Sequence, residues 1–138
     1  MKDKLCALTG LMAGSLAALF GPWSSDLTAL LICMAVDYLS GSAVALVFHK
    51  SCKTATGAYS SAYGFKGLCK KAMLLAIVAV GHQMDGVLGI DSVRTALCVG
   101  FLTNEVLSIL ENAGLMGIPI PNALKNALDV LQKKKEEI

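Results

Sequence analysis

An aspartate stands near the middle of an apolar run, ICMAVDYLSGSAVALVF, where Asp37 is followed within one helical turn by Ser40 and Gly41. On a helix these positions share a face, so a carboxylate, a hydroxyl and a small gap are presented together. Further along, Asn104, Ser108, Glu111 and Asn112 fall at i, i+4, i+7 and i+8 with Glu105 beside them, a second polar stripe. Groups of these types can bond across helices, meet between subunits or line a watery path. His82 and Asp85 are three apart and could share a face, but a solvated cap suits them better than a catalytic pair. Other chemistry is missing. Cys6, Cys33, Cys52, Cys69 and Cys98 form no CxxC pair and have no ligand spacing with His49 or His82. There is no phosphate-binding loop, nucleophile elbow or HExxH pattern. The sequence therefore predicts no enzyme, no cofactor and no metal.

The elements that must carry the two stripes follow from composition. Hydrophobic residues make up 55% of the 138 residues and charged ones only 16%, far richer in apolar side chains than an ordinary soluble domain. The apolar residues come in long runs, and a bilayer core needs about 20 residues of helix. Four spans are predicted, over about 5–22, 27–48, 72–90 and 93–113. The expected fold is an all-α integral membrane protein, with residues 1–116 as the transmembrane domain and 117–138 as a Pro-turn and cytoplasmic amphipathic tail. The third run weakens at Gly81, His82 and Asp85, and the first is the least certain to span. Lys2, Lys4 and the apolar stretch after them also resemble a signal peptide, with Ser15 and Ala17 a poor cleavage site. A first helix that lies in the interface, or moves, is the other reading.

Cations set the orientation, because basic loops stay on the cytoplasmic side. Lys2 and Lys4 precede the first run, Lys50, Lys53, Lys66, Lys70 and Lys71 separate the second from the third, and Lys125, Lys133, Lys134 and Lys135 follow the fourth. Only Arg94 falls on the other side. The protein is thus expected in the bacterial cytoplasmic membrane with both termini inside. The basic segments read as topology signals and contacts with anionic lipid, not as nucleic-acid sites, since no basic and aromatic interleaving accompanies them. Cys6, Cys52 and Cys69 would then meet a reducing compartment, and Cys33 and Cys98 would fill space inside spans.

Small residues mark where helices can approach. The first span offers Gly10, Gly14, Ala18 and Gly21 as a ridge, the second Gly41 and Ala45, the third Ala72 and Ala76, the fourth Ala96 and Gly100. In the loop HKSCKTATGAYSSAYGFKGLCKK, Gly57, Gly64 and Gly67 are expected to break regular helix. After the fourth span comes GIPIP, where Gly117, Pro119 and Pro121 stop one helix and Pro121 starts another. Leu124, Ala127, Leu128 and Leu131 would form the apolar face of that tail, opposite Lys125, Asp129 and Lys133.

Three segments together resemble the toxin-secretion and phage-lysis holins of Gram-positive bacteria and their phages. They are DYLSG with its intramembrane aspartate, the basic loop and pair SSAYGFKGLCKKAML beginning at Ser60, and NEVLSILENAGLMGIPIPNALKNALDVL. The order and spacing of these segments, over roughly residues 30–132, carry the resemblance. It implies a homo-oligomer in membrane lipid that opens nonselective lesions and releases a muralytic enzyme or toxin. An endolysin would be a functional partner without direct contact, and an antiholin a regulatory one. An ion channel or transporter subunit, an antiholin of the same fold, or a structural membrane adaptor are the competing readings.

Overall fold

The computed structural model describes residues 2–51, 53–126 and 130. In chain order they form α1 (Lys2–Phe20), α2 (Ser25–Leu46), α3 (Ser61–Leu88) and α4 (Val93–Leu115), with no strand among the described residues. By length and composition α1, α2 and α4 are apolar enough to cross a membrane.

The helix ends follow local chemistry. α1 stops because Gly21 adopts a left-handed φ of 78° just ahead of Pro22. The end of α4 closes in the same way: Gly117 has φ 85°, and the Ile118 N–H donates back to the Ala113 carbonyl at 3.0 Å. Pro121 then begins a new helical turn, its carbonyl accepting from the Leu124 and Lys125 amides at 2.9 and 3.2 Å. Residues 122–126 are helical, and the rest of the expected amphipathic face, Ala127, Leu128 and Leu131, lies outside the described residues.

α3 departs most from expectation. It begins at Ser61 instead of near residue 72, so Gly64 and Gly67 lie within a helix that they were expected to break. Only Gly57, with φ 71°, makes a turn. Gly64 instead leaves room for a neighbour: a Cβ there would stand 2.6 Å from the Tyr59 hydroxyl oxygen.

α2 lies along α4, α3 packs on α4, and α1 touches α3. Leu27, Leu30 and Met34 of α2, Val78 of α3 and Cys98 of α4 form the buried core, with Phe20, Leu75, Phe101 and Leu102 around it. Cys98 is fully buried, as a small apolar filler should be. α3 and α4 approach closely at Gly81, where a Cβ would lie 2.5 Å from Leu97 Cδ1 and 3.4 Å from Arg94 Cα. The position that weakens the third run in hydropathy is thus the one that lets two helices touch.

α1 behaves differently. None of its residues is buried, and Leu5, Leu8, Leu11, Met12, Leu16 and Leu19 are all exposed. Gly10 and Gly14 of the expected small-residue ridge meet no other element among the described residues: nothing from one lies within 4 Å of a Cβ placed at either. Ala18 is exposed, and Gly21 lies past the helix end in the turn. Ala72, Ala76, Ala96 and Gly100 also face outward, while Ala45 is buried.

Candidate functional site

Each polar stripe lies on a helix whose regular turn fixes its side chains, and the packing of α2 along α4 brings the two stripes face to face. The Asn112 amide donates to Asp37 Oδ1 at 3.2 Å and to the Ser40 hydroxyl at 2.9 Å. Ser40 in turn donates to the Asp37 carbonyl at 3.1 Å. Gly41 sits beside this contact, and a Cβ there would lie 3.6 Å from the Asn112 amide nitrogen, an ordinary van der Waals separation.

The third partner comes from α3. The Lys71 ammonium donates to Asp37 Oδ2 at 2.9 Å and also to Glu105 Oε2, forming an Asp37–Lys71–Glu105 ionic bridge across three helices. Its side chains are largely withdrawn from the surface, 13% exposed for Asp37 and Lys71 and 4% for Glu105. Asp37 and Glu105 each stand eleven residues along their helices from Asp26 and Arg94, and Lys71 ten residues from Gly81. At about 1.5 Å per residue, all three lie about 15 to 17 Å from the level of Arg94, beyond which α3 continues to Leu88.

Sequence reasoning left open whether the polar groups bond inside one bundle, meet between subunits or line a watery path; Asp37, Ser40, Glu105 and Asn112 are brought together inside one chain. Asn104 and Ser108 are half-buried on α4, and Glu111 is exposed beside a cleft that Asn112 also lines. Lys71 was missed. It stands in a KK pair that the topology rule reads as cytoplasmic, yet it is also the last cation before an uninterrupted apolar run on a helix, the one signal that set it apart.

A second network closes the far end. Asp85 is buried instead of solvated, and its carboxylate accepts from the Val93 and Arg94 amides at 2.8 and 2.9 Å, capping α4. Arg94, the one exception to the charge bias, donates to the Phe20 and Pro22 carbonyls at 2.7 and 2.9 Å and to the Ser24 hydroxyl at 3.0 Å. Gln83 donates to the Ala18 carbonyl at 3.0 Å, and Gly21 is packed tightly against His82. These contacts hold the end of a helix that is otherwise unburied. Hydrogen bonds to a charged group contribute about 1.5 to 3 kcal/mol. Arg94→Gln is accordingly expected to release α1 while α2 to α4 stay packed. Distances between labels on α1 and α3 should broaden and lengthen, and an unchanged distribution would refute the clamp.

Among the described residues no group of three His, Cys, Asp or Glu side chains is placed to hold a metal. The network can hide charge from an apolar surrounding or expose it to water.

Comparison with known proteins fits a chain of this kind. No solved structure matches. An uncharacterized protein of Halalkalibacterium halodurans is 35% identical over 127 residues, covering 88% of each chain. An uncharacterized protein from the nagH 3′ region of Clostridium perfringens is 36% identical over 119 residues, 85% of this chain and 84% of the relative. One from Listeria monocytogenes is 38% identical over 113 residues, 80% of this chain and 75% of the relative. A model of the bacteriophage holin family matches residues 14–133, a stretch that holds all of α2, α3 and α4 with their ionic bridge, and the chain belongs to that family.

Proposed function

We propose that the chain works as a holin. Four helices span the cytoplasmic membrane with both termini inside, copies assemble, and nonselective lesions open through which a muralytic enzyme or large toxin leaves. The observation that carries this reading is the depth of the Asp37–Lys71–Glu105 bridge. The 15 to 17 Å that separate it from the Arg94 end are about half of a hydrocarbon core roughly 30 Å thick. On this placement exposed Trp23 marks the outer headgroups, and Lys66 and Lys70 lie toward the inner ones.

Charged groups at that depth are costly, about 2.5 to 3.5 kcal/mol for each Asp or Lys on the insertion scale, and mark function more often than structure. In the single chain they offset one another by pairing. In an assembly whose helices separate, the same groups take water instead and line the opening. The bundle has no use for a catalytic residue: its work is a change of packing, and the released enzyme need not touch it.

Asp37→Leu tests the reading. It removes one end of the bridge and the carboxylate acceptor of Asn112, while Asn112 keeps Ser40 and Lys71 keeps Glu105. Insertion should be unaffected and the onset of lysis should shift by a readily measured interval when the variant is expressed in bacteria. The same onset at equal membrane level would sink the proposal.

A further inference from the structure

The bridge is not balanced. Two carboxylates, Asp37 and Glu105, share the one ammonium of Lys71, so with every group ionised the site carries a surplus negative charge. Among the described residues, the other group that donates to these carboxylates, the Asn112 amide, is neutral. A buried charge without a counter-charge neutralises in preference to staying ionised. Asp85, His82, Asp26 and Arg94 belong to the opposite end of the helices, too far to compensate it.

The site also has an entrance. At the end of the bundle that carries residues 47–51 and 53–60, an open cleft with about 80 Å³ of room for water lies between α2, that segment and the start of α3, and Asp37 and Lys71 line it. Its walls carry hydroxyls from Tyr38, Ser42, Thr54, Tyr59 and Tyr63. The segment is held in shape by its own bonds, Ser51 N–H to the Gly57 carbonyl at 3.0 Å and the Thr54 hydroxyl to the Ala58 carbonyl at 2.8 Å. A second cleft beyond Gly41 is bordered by Glu111 and Asn112. Exposed Lys53 borders both. A cleft with hydroxyls on its walls that reaches a charge-imbalanced group inside an apolar bundle is the arrangement of a one-sided access path.

We propose that Asp37, Lys71 and Glu105 form a proton-binding site that takes up one proton through this cleft, the proton residing on one of the two carboxyls. The bridge is then neutral as a whole and stays in the bilayer, and loss of the proton restores the surplus charge. The proposal requires α2, α3 and α4 to stand in the membrane as proposed above. It does not require lesions, so vesicle leakage, measured separately, tells its failure from the failure of the holin reading.

The test is labelling by dicyclohexylcarbodiimide, which adds across the O–H of a protonated carboxyl in an apolar site and raises the chain mass by that of the whole reagent. The full chain is placed in phosphatidylcholine vesicles and labelled at several pH values, and the adduct is located by mass spectrometry. One adduct per chain is expected, on Asp37 or Glu105, forming several-fold faster at the lowest pH than at the highest and indifferent to exchange of sodium for choline. The double variant Asp37→Asn, Glu105→Gln should lose it, and Lys53→Gln should keep it. No adduct on either residue at any pH would overturn the proposal. So would protection by sodium, which would make the site one for a metal cation, or an adduct that appears only in Lys53→Gln, which would make Lys53 the missing counter-charge.

Discussion

Replacing Lys71 with methionine is expected to destabilise the bundle by about 3 to 5 kcal/mol, the usual consequence of removing one partner from a buried ion pair. Asp37 and Glu105 would be left facing one another from α2 and α4 with no cation between them, at the place where those helices pack. Thermal unfolding in detergent and the steady level of the variant in membranes both report the loss. The companion result separates charge from packing: Lys71→Met combined with Asp37→Asn and Glu105→Gln should recover most of the stability, because the neutral side chains keep the shape and leave no buried charge without a counter-charge. A lone Lys71→Met variant as stable as the parent would show that the bridge does not hold α3 to its neighbours.

Gly81→Leu is expected to be comparably severe for a different reason. Arg94 backbone lies behind Leu97 at the crossing of α3 and α4, so a side chain of leucine size has no direction in which to move. Overpacking of this kind costs about 1 to 3 kcal/mol or more, and it would pry α3 away at the level of the Arg94 clamp. Gly81→Ala should be mild, because the atom it meets first is the mobile end of Leu97. Cross-linking yield between cysteines placed on α3 and α4 would rank the two variants, with Gly81→Leu well below Gly81→Ala; equal yields would contradict the close crossing.

The sequence made much of this legible because lipid imposes simple rules. Long apolar runs had to be helices, an aspartate within one had to find a partner, and Gly117 with the two prolines had to end α4. What escaped reading was whatever depended on which face met which. Lys71 looks like a loop cation in one dimension and is the counter-charge of Asp37 and Glu105 in three. Gly64 and Gly67 look like helix breakers, but glycine is well tolerated in membrane helices, and Gly64 provides the room for Tyr59. The ridge of Gly10 and Gly14 has the right spacing and no neighbouring element among the described residues, since spacing marks a surface able to pack without naming what packs there. Arg94 broke the charge rule because the carbonyls at the end of α1 and the Ser24 hydroxyl engage its guanidinium.

The central claim is that a bundle which hides charged groups among its own helices rearranges to open a hole too large to be selective. Inducing the chain in bacteria, while membrane potential and release of a cytoplasmic enzyme are recorded together, tests it most directly. The account expects an interval with the potential intact, then an abrupt collapse with concurrent escape of the enzyme. A potential that falls while the enzyme stays inside would contradict it and identify an ion-selective path instead.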